Sequence, residues 1–261
     1  MTRALISCVV PVFNGERYLR EALESIWAQT YRPLEIIVAD DGSTDGTAAV
    51  VTGFGREVRY LFQPTAGPAA TRNLGLHAAV GKFVAFLDAD DLWHPEKLAR
   101  QMARFQERVD LTLCVTHVEN FWIPELSDEA ERYRHHRRAQ PLPGYYSSTL
   151  MARRELFDTL GHFNVALWHG DVTEWFLRAT EHGEVMELLP DVLTYHRIHR
   201  SNLSRRRATD SREEYLYILK ATLDRRRRLM RVATSEPEVQ GRGVQQSGRD
   251  TEADSSGRVD R

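Results

Sequence analysis

The sequence predicts an α/β protein built on a mostly parallel central sheet flanked by helices, and three observations lead there. Short apolar runs, the first rich in β-branched residues, alternate four times with helically spaced apolar residues before Asp91. The runs are apolar on both faces, as strands covered by helices on each side must be. Their carboxyl ends collect acidic and turn-forming residues. A length of 261 residues with 42% hydrophobic residues suffices for one large domain or two small ones.

Leu5 to Phe13 is the first strand, followed by Asn14-Gly15 and apolar residues at 18, 19, 22, 23 and 26, the spacing of an amphipathic helix. Leu34 to Ala39 is the second strand, Asp40 to Thr47 a polar turn, and Thr47 to Phe54 a short helix within reach of Ser43, Thr44 or Asp45 as caps. Val58 to Phe62 is the third strand. After the turn Gln63 to Gly67, an Ala-rich helix runs from Pro68 to Val80, and Gly81 ends it before the strand Lys82 to Leu87. Pro95 to Arg108 is a further amphipathic helix and Leu111 to His117 a further strand.

The composition excludes several classes. The longest nearly apolar run, Leu5 to Phe13, falls well short of the roughly 20 residues needed to cross a bilayer. With only Arg3 before it and no small-residue cleavage site, a secretory signal is not expected, so the default location is cytoplasmic. Cys8 and Cys114 lie apart in apolar stretches and read as reduced, buried thiols. The overall charge of −2 hides three regions: residues 1–196 carry −8, residues 197–231 carry +8, and 232–261 is a polar, mixed-charge stretch expected to be a disordered tail.

Ligands on an open parallel sheet bind at the carboxyl ends of its strands. Here those ends are Pro11-Val12-Phe13-Asn14, Asp40-Asp41-Gly42-Ser43 and Asp88-Ala89-Asp90-Asp91. Five carboxylates on one edge repel one another and lose solvation, and a divalent cation is the simplest compensation. Side chains at i and i+2 of an extended segment point the same way, so Asp88 and Asp90 are placed to face one hard cation. Capping of the following helix is the alternative, weightier for Asp91 than for Asp90. No P-loop or Gly-x-Gly-x-x-Gly follows any strand, so neither an ATPase nor a dinucleotide enzyme is supported.

Five segments in order resemble the nucleotide-sugar-binding domain of family 2 glycosyltransferases, which have the GT-A fold. They are Val10-Pro11-Val12-Phe13-Asn14-Gly15, Ser25 to Tyr31, Glu35 to Thr47 with its Asp40-Asp41-Gly42-Ser43 core, Gly67 to Gly75, and Gly81 to Asp91. The resemblance implies a nucleotide site at Pro11, Phe13, Asn14, Asp41, Arg72, Asp88 and Ala89. In it Asp41 accepts the imide proton that uracil offers and cytosine lacks, and Arg72 reaches a base carbonyl or phosphate. A surface ion pair is the alternative for Arg72. The resemblance further implies a metal, Mn²⁺ or Mg²⁺, at Asp90 with Asp88 on the metal or the ribose, acting as a Lewis acid toward the departing diphosphate. The donor is then a nucleotide diphosphate sugar, a UDP-sugar by preference, and the acceptor a hydroxyl of a glycan, a lipid-linked saccharide or a similar molecule.

The second half reads less regularly. Residues 118–143 carry Phe121-Trp122-Ile123-Pro124 and a basic stretch with His135-His136, expected to be an irregular acceptor-side lid in which a solvated basic face outweighs metal binding. Tyr145 to Met151 reads as a strand and Arg153 to Leu160 as a helix. Trp168 to Ala179 resembles the family's acidic pair followed by an amphipathic helix, but Val172 stands where many members have the second acid. Asp171 is the candidate general base, with Glu174 one turn away and a helix-capping role as alternatives. Trp175 lies in an apolar stripe and reads as core; Trp168 is open to stacking on a sugar.

Glu184 to Pro190 and Val192 to His196 read as closing strands. Tyr195 to Ser204 resembles the Tyr-Arg-x-His-x-x-Asn-x-Ser segment of the family, which places His199 either in the metal shell or on a loop hydrogen bond. The expected organisation is a nucleotide-sugar-binding half at 1–117, an acceptor half at 118–204, and a basic amphipathic helix at 205–231 that docks on its own domain or touches an anionic membrane from the inner face. The acidic first region argues against a nucleic-acid partner. A catalytically silent nucleotide-sugar-binding module stays open as the alternative to an inverting transferase.

Overall fold

A computed structural model describes residues 3–206 and 208–234. Nine strands form one sheet among the described residues: β1 (Ile6–Val12), β2 (Leu34–Asp40), β3 (Val58–Phe62), β4 (Phe83–Phe86), β5 (Leu92–Trp93), β6 (Leu113–Trp122), β7 (Leu142–Pro143), β8 (Met151–Arg153) and β9 (Met186–Ile198). Their order is β3-β2-β1-β4-β8-β6-β9-β5, with β7 on the edge of β6. The long ladders β1/β2, β2/β3, β1/β4 and β6/β9 are parallel, and four short antiparallel ladders complete the sheet.

Helices α1 (Leu19–Trp27), α2 (Thr47–Thr52), α3 (Pro68–Ala78), α4 (Lys97–Glu107), α5 (Ser127–Tyr133), α6 (Glu155–Leu160) and α7 (Asp171–Glu181) follow the strands, with α8 (Leu203–Arg206) and α9 (Ala208–Thr234) at the end. Alternate residues of β1 serve the two faces: Ile6, Cys8, Val10 and Val12 join one core with α1 and α4, while Val9 joins the other with α3, α6 and α7. The predicted stripe Tyr18, Leu19, Ala22, Leu23 and Ile26 is buried throughout. α3 lies so close to β1 that a Cβ on Gly75 would meet Val9 Cγ1 at 2.3 Å, which requires glycine there. Cys8 and Cys114 are buried free thiols, pushed up to about 12 by desolvation.

Several expected elements differ. The strand expected at 145–151 is a 3-10 turn at Ser147–Thr149 followed by β8. The hydroxyls explain it: Thr149 Oγ1 donates to Tyr146 O at 2.9 Å, and Ser147 and Ser148 donate to Asp88 and Asp91, so side chains replace ladder bonds. The two expected closing strands are one, β9, whose register against β6 jumps from Thr116–Leu189 to His117–Val192; Pro190, which has no N–H to give a ladder, sits at the break. The expected irregular region instead extends β6 to Trp122 and adds α5 and β7. His135 and His136 are exposed there, and His136 Nδ1 accepts the Arg138 N–H at 3.1 Å as a turn cap. α9 runs to Thr234, three residues into the expected tail; positions 235–261 lie outside the described residues.

Candidate active site

The carboxyl ends of β1, β2 and β4 meet at one edge because the three strands are parallel neighbours. Asp40 is fully buried and serves the fold: Oδ1 accepts the Ser43 N–H at 2.7 Å and Oδ2 the Tyr60 hydroxyl at 2.6 Å. Asp41 accepts from Gln63 Nε2 at 2.8 Å, from Ala66 N at 2.8 Å and from Gly67 N at 2.9 Å. A carboxylate offers about four acceptor positions, so one is left for a ligand donor. Phe13 follows the end of β1 and is 54% exposed, and Pro11 near it is half-buried. Asn14, at φ 51°, is exposed and bonds the neighbouring loop: its Oδ1 accepts the Thr44 N–H at 2.8 Å and its own N–H reaches Ser43 Oγ. The structure therefore gives the Asn14 side chain to the loop after β2.

The three acids after β4 have three different surroundings. Asp91 is fully buried and pairs with His196 Nδ1 at 2.8 Å, while also accepting from Arg197 N and Ser148 Oγ; it caps no helix. Burial raises the Asp91 carboxyl above its usual range. His196 is raised to about 9: burial opposes its charge, and the Asp91 carboxylate outweighs that. Asp90, beside the half-buried Ala89, points toward His199, with Oδ2 2.8 Å from Nε2 and 3.3 Å from Asn202 Nδ2. Burial works against the Asp90 charge, and the His199 bond overrides it and lowers the carboxyl. The other ring nitrogen of His199 lies 2.8 Å from Ser201 Oγ, so the loop hydrogen bond expected for this histidine is present. Asp88 accepts from Ser147 Oγ at 3.0 and 3.1 Å and from Arg72.

Arg72 joins the two halves of the chain. From α3 it donates to Asp88 Oδ1 at 3.2 Å and to Asp171 Oδ2 at 2.8 Å. Burial opposes its charge and the two carboxylates more than restore it, raising the guanidinium. Among the described residues its Nε is buried without a hydrogen-bond partner, as are the hydroxyls of Tyr18 and Tyr146. The Tyr18 ring lies tilted against His199 with centroids 4.8 Å apart, and the Tyr146 hydroxyl is raised by burial and by Asp91, Asp88 and Asp90 around it. Three unpartnered buried donors beside a cluster of acids fit a ligand that brings acceptor oxygens. A cavity of about 210 Å³ lined by Arg17, Tyr18, Ile123, Glu125, His199, Arg200 and Ser201 opens next to this cluster.

Asp171 is the first residue of α7 and is 3% exposed. Burial raises its carboxyl above the usual range, with Arg72 opposing. Glu174 is not brought to it: Arg178 holds Glu174 at 2.9 and 3.1 Å and Arg225 at 3.3 Å, so the second candidate base is committed to an ion-pair cluster between α7 and α9. Trp175 is fully buried and stacked on Phe157 at 4.7 Å, as its apolar stripe predicted. The Trp168 ring instead lies over Gly67, 3.3 Å from where a Cβ would stand.

Sequence reasoning missed Ser147, Ser148, Arg197 and Glu214. Arg197 donates to Asp90 O at 2.9 Å between the rings of Tyr18 and Phe121, and Glu214 holds the turn before Asp171. Of these only Arg197 lies in a quoted motif; the serines and Glu214 give no local signal.

Among the described residues no group of three or more His, Cys, Asp or Glu converges as a closed metal cage would. The donor set nevertheless fits an open site: Asp90 is only partly covered and an imidazole nitrogen adjoins it. A hard cation held by one or two side chains completes its shell with water and phosphate oxygens.

The profile described as Glycosyl transferase family 2 matches residues 7–161. An uncharacterized glycosyltransferase of Nostoc sp. is 31% identical over 227 residues, covering 80% of this chain and 70% of that protein. One from Rickettsia prowazekii is 39% identical over 98 residues, 38% of this chain and 31% of its own length, so the chain spans about a third of that relative. Among solved structures, S. aureus TarS 1-349 in complex with UDP-GlcNAc superposes with a TM-score of 0.62 at 22% identity, covering 76% of this chain and 59% of that one. Mannosyltransferase PcManGT from Pyrobaculum calidifontis, in complex with GDP-Man and Mn²⁺, does so with a TM-score of 0.58 at 23% identity, covering 77% and 59%. At these identities the likeness establishes the shared GT-A type fold.

Proposed function

Because the chain belongs to glycosyl transferase family 2, we propose that it is a metal-dependent inverting glycosyltransferase that moves a sugar from a nucleotide diphosphate sugar, a UDP-sugar by preference, to a hydroxyl acceptor. The observation that carries this reading is the Arg72 bridge, which places the donor-side acid Asp88 and the acceptor-side acid Asp171 on one guanidinium whose Nε is still unpartnered. Residues 1–117 are then the donor half and 118–204 the acceptor half. Solved relatives bound to UDP-GlcNAc and to GDP-Man with Mn²⁺ support a nucleotide-sugar donor and a divalent metal.

The residues divide the work as follows. Phe13 offers its exposed face to the base, and the remaining acceptor position of Asp41 takes the uracil imide proton. Asp90, with His199, would hold Mn²⁺ or Mg²⁺, which supplies charge neutralisation to the leaving diphosphate. Arg72 offers Nε to the same oxygens. Asp171 takes the acceptor hydroxyl proton as the acceptor oxygen bonds the anomeric carbon; the bond from that carbon to the phosphate oxygen breaks, and its electron pair leaves with the diphosphate. The raised carboxyl of Asp171 makes it a stronger base than an exposed aspartate. The acceptor is a glycan, a lipid-linked saccharide or another hydroxyl compound, and the basic helix contacts the membrane peripherally.

Calorimetric titration with UDP in Mn²⁺ or Mg²⁺, then in EDTA, with GDP and TDP as competitors, tests the donor half. Metal-dependent UDP binding is expected, and no binding of any nucleoside diphosphate overturns the reading. One observation favours a second reading, a silent nucleotide-sugar-binding module: Asp171 is nearly covered and already paired, with Val172 in the place of a second acid. Donor binding without transfer or donor hydrolysis would select it.

A further inference from the structure

α9 has two faces with different chemistry. On the inner face, the Glu214 carboxylate accepts the backbone N–H groups of Trp168, His169 and Gly170 at 2.9, 2.8 and 3.1 Å. Ile218, 2% exposed, closes on the same turn, so tightly that a Cβ on Gly170 would meet its Cδ1 at 2.3 Å. Arg225 bonds Glu181 at 2.7 Å and Glu174 at 3.3 Å on α7. The three N–H groups that Glu214 gathers belong to the residues immediately before Asp171, so the approach of α7 to the site is set by a side chain more than forty positions later.

The outer face carries Leu216, Leu219 and Leu223, at helical spacing and 68%, 56% and 44% exposed. Exposed Arg212, Lys220 and Arg227 border that stripe, with Arg227 3.8 Å from Asp224 and exposed Glu213 alongside. An apolar stripe edged by cations, on a helix of net charge +3, complements an anionic bilayer surface, where leucines enter the acyl boundary and cations meet phosphate. No helix of the described residues is long and apolar enough to cross a membrane, so the fit is to the surface.

We propose that α9 couples an anionic lipid surface to the catalytic turn: its outer face docks on the bilayer, and its inner face, through Glu214 as a positioning residue, fixes the amides ahead of Asp171. The coupling rests on reading Asp171 as the base. A helix held on a bilayer has less freedom to lose when its other face closes, so lipid binding favours the clasped state.

The test measures amide exchange at 168–170 in the full chain, with phosphatidylcholine vesicles lacking or containing phosphatidylglycerol. The anionic vesicles are expected to bind and to slow exchange several-fold. Leu216→Asp with Leu219→Asp should match the parent chain without lipid and neither bind nor respond. Glu214→Ala should bind vesicles yet exchange fast throughout, with Glu214→Gln between. In turnover of a UDP-sugar, Glu214→Ala should lower kcat while donor KM and UDP affinity stay unchanged, a split that general destabilisation would not produce. Anionic vesicles that fail to bind, that bind without changing exchange, or a Glu214→Ala chain that exchanges like the parent overturns the proposal. Exchange needs no turnover, so failure of the glycosyl-transfer reading, seen as absent UDP binding, is distinguished from failure of the coupling.

Discussion

The edge proposed to bind the donor and the edge proposed to receive the acceptor are built differently. At the donor edge, Asp41, Asp88 and Asp90 sit just past parallel strands that pair directly through β1, so the ladders bring their backbones together. At the acceptor edge, Asp171 opens a helix whose position depends on Arg72 from α3 and Glu214 from α9. A strand end is fixed by many backbone bonds shared along a ladder, whereas a helix start is fixed by the few side chains that reach it. Substitutions at the donor edge should accordingly change chemistry with the fold intact, and substitutions around the acceptor edge should mix positioning with stability.

The largest effect that sharpens this contrast is expected at Asp90. Asp90→Ala should reduce metal-dependent transfer by about 10³-fold or more while the thermal midpoint changes little, and parent-like activity would remove Asp90 from the metal. Asp171→Asn should lower kcat by about 10²- to 10³-fold with UDP affinity unchanged in calorimetry. Because burial raises the Asp171 carboxyl and only the carboxylate accepts a proton, kcat/KM should fall with decreasing pH through a limb above the usual aspartate range, and this limb should vanish in Asp171→Asn.

Glu174→Gln tests the reverse case. Its carboxylate is held by Arg178 and Arg225 and faces neither Arg72 nor Asp88, so the variant should lose about 3 kcal/mol of stability. Its kcat should change by no more than about threefold, and a loss like that of Asp171→Asn would restore Glu174 as the base.

The smallest effect is far from both edges. Lys97 is fully buried over the Trp93 ring with Gln101 as its one hydrogen-bond partner among the described residues, and desolvation lowers its ammonium to about 7. Its folded value lies below its unfolded one, so the unfolded chain binds more protons between about pH 7 and 10 and stability rises with pH across that window. Lys97→Met should therefore be more stable by about 2 kcal/mol near neutrality, and its advantage in thermal midpoint should shrink toward pH 10. A constant difference would mean that Lys97 stays charged in the folded chain.

The first part of the chain was the most legible. Each strand there is a short, mostly apolar run and each helix an apolar stripe, so local pattern and tertiary role agree from Leu5 to Leu87. Legibility fell where side chains replaced backbone partners, as at Ser147–Thr149, and where Pro190 broke the pattern of a strand that continues past it. The acids after β4 show the same limit within one motif. Their clustering was visible, but the division of Asp88 to Arg72, Asp90 to His199 and Asp91 to His196 depends on partners from α3 and β9 and from the loop after it.

The sequence alone determined the parallel sheet, the edge at which its acids collect and the family to which it is similar, because strand periodicity and turn chemistry are properties of neighbouring residues. Tertiary structure decided which carboxylate was taken by the fold and which stayed near the site: Asp40 went to Tyr60, Glu174 to Arg178 and Arg225, and Asp171 to Arg72. It also gave α9 an inner face, because whether Glu214 meets water or three backbone N–H groups depends on a turn more than forty residues earlier, and no local pattern carries that information.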